Sequence, residues 1–226
     1  MDTVLDNPVY HGLCSGDAHL ALGTKTVKYF HEEVSPFAGF DECDENGFQE
    51  LSELLPTGRN VLYATRRTIE EPKNWKLLHE VKGVQFVYNK EGESQYDSSI
   101  LIPLNAANSE EMVQLAALTK PGPFSSRTIE FGHYYGVFQN GRLVAMAGQR
   151  LHPGNYTEIS AVCTHPDHLG KGFAASLIRH QIVLIHEQNR IPFLHVRADN
   201  ERAIALYERL GFEQNGHMNF YVLKRS

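Results

Sequence analysis

The chain has 226 residues, of which 42% are hydrophobic, and a formal net charge of −6 at pH 7. This length and apolar content suffice for the core of one large domain or two small ones. No apolar run approaches the roughly 20 residues that cross a bilayer, and the first residues lack the basic start and apolar core of a signal peptide. We therefore expect a cytoplasmic protein without a membrane partner. The negative charge also argues against a nucleic-acid partner, which requires a basic surface.

The cysteines and histidines do not follow the patterns of disulfide or metal sites. Cys14, Cys43 and Cys163 are odd in number, widely spaced and free of any C-x-x-C pair. Such spacing predicts neither a disulfide framework nor a structural zinc site. His165 and His168 stand three residues apart, but no third ligand follows at a suitable spacing. We expect free thiols and no bound metal.

The first part of the chain, residues 1–95, contains short elements of both types. Apolar alternation predicts strands at 25–30, 60–65 and 84–88, and helical spacing predicts helices at 48–55 and 75–81. We therefore expect a small α/β lobe before the main domain. The polar segment KEGESQYDSS at 90–99 marks its boundary with the second part, 98–226.

A faint internal similarity links the two parts. GRNVLYATRR at 58–67 echoes GRLVAMAGQR at 141–150. An old duplication with a degenerate first half would explain the echo, and so would chance, which accounts more readily for ten residues of common types.

The second part begins with a predicted strand at 100–104 and a helix that Ser109 can cap and that runs to residue 118. The loop at 121–126 leads into a second helical stretch. Strands at 134–138 and 143–151 flank Asn140-Gly141, which is a strong hairpin signal.

Residues 157–164 are predicted to form the next strand, because their side chains alternate. One face would carry Ile159, Ala161 and Cys163, and the other Glu158, Ser160, Val162 and Thr164. Pro166 and Asp167 end the strand.

Gly170 and Gly172 precede a helix whose apolar residues recur with helical spacing over 173–188. The first turn of a helix has unpaired N–H groups and a partial positive charge, and glycines let a diphosphate approach that backbone closely. Lys171 adds a full positive charge. The junction therefore suits a phosphate group, although glycines also serve turns and tight packing.

The end of the chain supplies a second motif. FLHVR at 193–197 is predicted to be a strand, and Asp199 or Asn200 then caps a helix, ERAIALYERL, that stops at Gly211. With V-x-T-x-P-D-H-L-G-K-G-F-A and N-E-R-A-I-A-L-Y-E-R-L-G-F in this order, residues 98–226 resemble the GNAT superfamily of acetyl-CoA-dependent N-acetyltransferases. The resemblance implies an α/β (α+β) fold, in which a mixed, mostly antiparallel sheet carries helices on both faces.

The resemblance also implies where acetyl-CoA binds. Val162, Cys163 and Thr164 would pair with the pantetheine arm, with the first two beside the acetyl carbonyl. The remaining cofactor residues would be Leu169, Gly170, Lys171, Gly172, Phe173, Ala174 and Asn200. Leu169 departs from the Gln or Arg usual in the family, so one side-chain contact to the pyrophosphate is missing, while the backbone donors remain.

Two residues are candidates for proton transfer. Tyr207 occupies the family's tyrosine position and would protonate the departing CoA thiolate, but it also shares an apolar helical stripe typical of a core. Glu158 would act as the base, directly or through water, because it begins the strand on the face shared with Val162; the alternative is a solvated or salt-bridged carboxylate. His133, His152 and His195 could lie near an acceptor pocket, or simply make structural hydrogen bonds.

The resemblance implies an N-acetyltransferase that moves the acetyl group of acetyl-CoA to a primary amine of a small molecule, amino acid or peptide, by direct transfer in a ternary complex. Two alternatives stay open: a non-catalytic module that binds or senses acyl-CoA, and an amino-acid N-acyltransferase that uses a longer acyl group. The sequence determines neither the acceptor nor whether the protein is a monomer or a homodimer.

Overall fold

A computed structural model describes residues 3–90 and 96–226. Its main feature is an eight-stranded sheet in the order β4-β11-β5-β10-β9-β8-β7-β6, and a second sheet has the order β1-β2-β3. All neighbouring strands are antiparallel except β9 and β10, which are parallel. The strands are β1 (Ala21–Gly23), β2 (Val27–Phe30), β3 (Ala38–Phe40), β4 (Asn60–Thr65), β5 (Trp75–Val87), β6 (Ile102–Pro103), β7 (Tyr135–Gln139), β8 (Arg142–Gln149), β9 (Tyr156–Thr164), β10 (Ile191–Arg197) and β11 (Glu213–Arg225).

Helices cover both faces of the large sheet, as expected. They are α1 (Pro8–Cys14), α2 (Gly47–Leu54), α3 (Ser109–Thr119), α4 (Phe173–Glu187) and α5 (Glu201–Leu210). On one face α3 packs in an apolar cluster with Met146 of β8 and Cys163 of β9. On the other, α4 and α5 pack through Ile178, Ile182 and Tyr207. The predicted fold class is therefore confirmed.

The large sheet crosses the predicted boundary between the two parts. Strands β4 and β5 come from the first part, yet β5 lies between β11 and β10 and pairs with both. A parallel bridge between Phe37 and Leu62 also connects the small sheet to β4. Residues 91–95 of the predicted boundary lie outside the described residues. The division into two domains stays a prediction, as does a degenerate GNAT-like first half.

Two predicted elements are wrong. The predicted helix at 75–81 is the first half of β5, because residues 220–225 of β11 pair with its backbone. Trp75 is buried, and its indole donates to Phe48 O at 2.9 Å, so tertiary contacts override the local helical spacing. The second helical stretch after the loop at 121–126 is only a 3-10 turn, Thr128–Phe131.

Local signals in the second part are well reproduced. Asn140 and Gly141 both have positive φ, 51° and 74°, as a tight hairpin turn requires. Asn200 accepts from Ala203 N at 3.1 Å and caps α5, which ends at Gly211 with φ 101°. Across the described ranges, none of the helices combines the length and apolarity needed to span a membrane.

Candidate functional site

A cleft opens where β9 and β10 separate. The two strands pair from Tyr156 with Ile191 to Glu158 with Phe193, and no pair follows. Beyond that point a cavity of about 580 Å³ lies between them, bounded by the loop before α4 and by α5. Its walls include every residue that we expected to contact the cofactor, namely Val162, Cys163, Thr164, Leu169, Gly170, Lys171, Gly172, Phe173, Ala174 and Asn200.

A β-bulge at Ala161 changes the facing of side chains along β9. Ala161 has φ 53°, and the pairing with β8 shifts in register at this point. Ile159 therefore packs with α4, whereas Ala161 and Cys163 pack on the opposite face. The predicted regular alternation is wrong, and so is the shared face of Glu158 and Val162: Val162 packs on the α4 side.

The loop before α4 exposes unpaired backbone donors. Gly170 and Gly172 have φ of 78° and 81°, and a Cβ on either would meet no atom within 4 Å. Backbone conformation rather than packing therefore requires these glycines. Gly172 is the N-cap of α4 and provides no side-chain bond, and within the described chain the first N–H of this helix with a backbone partner is that of Ser176. The earlier N–H groups are free to hold an anion.

The cleft is positively charged although the chain is acidic. Its lining includes Lys120, Lys171, Arg197, Arg202 and Arg209, and no Asp or Glu among the described residues. Only Arg197 of these is seen to pair with a carboxylate, that of Asp199 at 2.7 Å. Cations that line one wall without acidic partners attract an anionic ligand.

Tyr207 combines a packed ring with a free hydroxyl. Its ring lies 6.3 Å from that of Phe86 and 6.0 Å from that of Phe212, and the residue is 7% exposed. Tyr207 also lines the cleft, and within residues 3–90 and 96–226 no group is seen to hydrogen-bond its hydroxyl. Burial raises the pKa of Tyr207 to about 12, so the phenol keeps its proton at neutral pH. The core role and a proton-donor role are thus compatible.

Glu158 lies behind the cleft, as a buried and ion-paired carboxylate. It accepts from Arg150 Nε at 2.8 Å, from Arg150 Nη2 at 2.7 Å and from His195 Nδ1 at 2.8 Å. Burial alone would raise the pKa of Glu158, but the charge and hydrogen bonds of Arg150, with help from His195, hold it well below its usual range. Such a carboxylate is a weak base, and it is not among the residues that line the cleft.

Two polar residues, His195 and Gln85, contribute more hydrogen bonds to the site than the sequence predicted. His195 lines the cleft, bonds Glu158 through Nδ1 and lies 2.9 Å from Gln85 Nε2 through its own Nε2. Gln85 belongs to β5 and was missed. The available signal was a polar residue inside an apolar strand, GVQFV and FLHVR, which indicates a satisfied buried hydrogen bond.

Of the other candidates, the two histidines do not join the cleft. His152 binds the buried Asp17 at 2.7 Å, and neither His152 nor His133 is among the cleft residues. Burial raises the pKa of Cys163 to about 11, so its thiol is protonated and a poor nucleophile. In the described ranges, no three His, Cys, Asp or Glu side chains come together as a metal site would require.

Comparison of the sequence with known proteins gives matches that cover part of the chain. A family model described as FR47-like protein matches residues 134–221. N-alpha-acetyltransferase RimI from Mycobacterium tuberculosis is 34% identical over 88 residues, which are 37% of this chain and 54% of that protein. Spermidine N(1)-acetyltransferase from Vibrio cholerae is 39% identical over 70 residues, which are 28% of this chain and 40% of that protein. The chain thus spans about half or less of these curated relatives.

A solved structure is similar along the full length. A GNAT family protein from Novosphingobium aromaticivorans superposes with a TM-score of 0.92 and is 31% identical, with 100% of both chains covered. This likeness includes the first part of the chain.

Proposed function

The chain belongs to the GNAT family, an acyltransferase family, and we propose that it transfers the acetyl group of acetyl-CoA directly to a primary amine in a ternary complex. The observation that carries this proposal is the cleft between the diverging β9 and β10, which is lined by cations and reaches the free hydroxyl of Tyr207. An anionic cofactor with a long neutral arm fits such a cleft.

Different parts of the protein would bind the diphosphate and the pantetheine arm of acetyl-CoA. We propose that the free N–H groups of the loop from Gly170 to Ala174, together with Lys171, hold the diphosphate. The pantetheine arm would then pair with the backbone of Val162 to Thr164. Leu169 is 45% exposed and offers no polar contact, so the backbone would do most of this work.

The proposed reaction needs three groups around the thioester. The amine nitrogen attacks the carbonyl carbon, and the backbone N–H of Val162 stabilises the oxyanion that forms. The C–S bond then breaks, and Tyr207 gives its proton to the CoA thiolate. A phenol with a pKa of about 12 is a weaker acid than the thiol that it produces, so positioning must offset an uphill transfer.

The ammonium form of the amine must also lose a proton before attack. Both oxygens of Glu158 accept hydrogen bonds from Arg150, and one also accepts from His195, on the far side of the strand. We therefore propose that water in the cleft takes the proton. Glu158 would act only indirectly, by holding Arg150 and His195 in place. An alkylamine with a pKa near 10.4 gives a small neutral fraction at pH 7, which makes the rate rise with pH.

The proposed acceptor is a primary amine, and its class is not narrowed further. One relative is named for an N-alpha amine and another for spermidine, which supports an amine without selecting its carrier. Two rival functions remain: a module that binds acyl-CoA without transferring it, and transfer of a longer acyl group to an amino acid. CoA release that depends on added amine separates catalysis from binding, and a series of acyl-CoA chain lengths tests the third.

Thermal unfolding with acetyl-CoA tests the cofactor site. We expect the melting temperature to rise with acetyl-CoA, and Gly170→Asp with Gly172→Asp to abolish the rise, because both changes put negative charge where the diphosphate would lie. Gly58→Asp is the matched control: its φ of 87° is equally left-handed, its Cβ also meets no atom within 4 Å, and it is remote from the cleft. No shift of the wild type at about 1 mM acetyl-CoA, the upper end of ordinary KM values, would refute the proposal.

A further inference from the structure

A chain of buried hydrogen bonds leads from the first part of the chain to the cleft. Gln85 of β5 lies beside His195 of β10 in the sheet, and neither its backbone nor its side chain has exposed surface. Its Nε2 is 3.0 Å from Leu5 O and 2.9 Å from His195 Nε2. The other imidazole nitrogen, Nδ1, is 2.8 Å from Glu158 Oε1.

The partners of Gln85 determine which way its amide faces. Its Oε1 receives hydrogen bonds from Arg66 Nη2 at 2.8 Å and from Asn215 Nδ2 at 2.7 Å. Arg66 can only donate, and Leu5 O can only accept. A flipped amide would therefore direct N–H groups at a guanidinium and an oxygen at a carbonyl, and it would lose at least two bonds in a buried site.

This orientation determines the protonation of His195. Gln85 Nε2 can only donate, so His195 Nε2 must accept and carries no proton. The single proton of the neutral ring is then on Nδ1, where it is donated to Glu158. A second proton, on Nε2, would meet the amide N–H groups of Gln85 at 2.9 Å.

We propose that Gln85 is a positioning residue that holds His195 as the neutral Nδ1–H tautomer, so that the imidazole on the wall of the cleft is fixed in one orientation between Gln85 and Glu158. The first part of the chain thereby contributes to the site through β5. The tautomer itself does not depend on the proposed function; only its effect on the acceptor amine does.

The charged groups around this imidazole come from four elements. Glu158 of β9 faces Nδ1 and is neutralised by Arg150, which follows β8. Arg66, after β4, reaches Gln85 and also pairs with Asp6 at 2.5 Å. The rings of Phe193 and Phe220 lie edge to face with the imidazole, at 5.6 and 5.3 Å. The charges cancel within each of the two ion pairs, Glu158 with Arg150 and Arg66 with Asp6. A second proton on His195 would therefore leave one uncompensated positive charge beside the cleft.

An imidazolium at this position would repel a cationic acceptor. The same neutral ring also excludes His195 from acting as the base at Nε2, because that nitrogen is occupied.

Nitrogen NMR of the ligand-free, ¹⁵N-labelled protein tests the inference. His195 should show the Nδ1–H pattern. Gln85→Glu replaces the donor by an acceptor, so a proton should appear on His195 Nε2 in this variant.

Gln214→Glu is the matched control, because Gln214 lies on the adjacent β11 but is exposed. It should leave the His195 signals unchanged. An Nε2–H pattern in wild-type His195 would overturn the inference, and so would an Nε2 without a proton in folded Gln85→Glu. The wild-type spectra decide the question even if that variant does not fold. They need neither acetyl-CoA nor an amine, so loss of the proposed activity would leave this result intact.

Discussion

The substitution Glu158→Gln distinguishes a structural carboxylate from a base at the surface of the cleft. Gln keeps the size of the side chain, so no cavity forms, but it removes the charge that balances Arg150. Arg150 is 9% exposed and gives two hydrogen bonds to Glu158. The Gln side chain can accept only at one end, and its amide N–H would oppose a donor of Arg150 or His195.

The expected loss is large. Breaking a buried ion pair by removing one partner costs about 3–5 kcal/mol, because the other charge remains buried and unpaired. For a chain of this size, each 1 kcal/mol lowers the melting temperature by roughly 2–4 °C, so we expect a decrease of roughly 6–20 °C. Glu130→Gln is the control: Glu130 pairs with Arg127 at 2.6 Å, but both side chains are partly exposed, so its decrease should be much smaller.

The pH dependence has a definite sign. The pKa of Glu158 is depressed in the folded state, so its stabilisation is present above the unfolded value of about 4.3 and is lost as the pH falls below that value towards the folded pKa. The free energies of unfolding of the wild type and Glu158→Gln should therefore differ most above about pH 5 and converge in acid.

Denaturant unfolding over this pH range measures both effects. The double variant Glu158→Leu with Arg150→Met removes both charges and should recover most of the lost stability, since a buried pair is replaceable by apolar residues. A Glu158→Gln variant as stable as the wild type at pH 7 would refute the reasoning. So would a double variant less stable than the single one.

Three further predictions concern the cleft. Tyr207→Phe should bind acetyl-CoA and melt like the wild type, since no hydrogen bond is lost, while kcat falls roughly 10- to 100-fold. A near-normal kcat, with chemistry shown to be rate-limiting, would mean that Tyr207 only packs in the core. Arg202→Ala with Arg209→Ala should raise KM for acetyl-CoA more than KM for its 3′-dephospho form, and an equal rise would show that neither contacts this phosphate. A thiol reagent should label two of the three cysteines in the folded protein, and rapid labelling of Cys163 would contradict its burial.

Much of the second part of the chain, 98–226, was predictable because its turn, glycine and capping motifs are local in sequence. A hairpin turn needs two residues with positive φ, and Asn140-Gly141 meets that need wherever the strands lie. The glycines before α4 and the cap at Asn200 are likewise set by the backbone of their own few residues. The chain order of these signals is itself what the family resemblance rests on.

The contacts behind the cleft were not predictable from the same signals. Strand β5 is a strand because residues far along the chain, in β11 and β10, pair with it, and helical spacing at 75–81 carries no information about those partners. The bulge at Ala161 inverts the facing of part of β9, which moved Glu158 from the expected cleft face to a buried pair with Arg150.

The family, the glycine loop before α4 and the position of Tyr207 could be read from the sequence alone, since each depends on residues close together in the chain. The surroundings of Glu158, His195 and Gln85 could not, because hydrogen bonds between three strands orient these side chains. Sequence separations of 37 and 110 residues join these partners. In a buried site the charge of each group follows from the donor or acceptor opposite it, and that neighbour is chosen by the sheet.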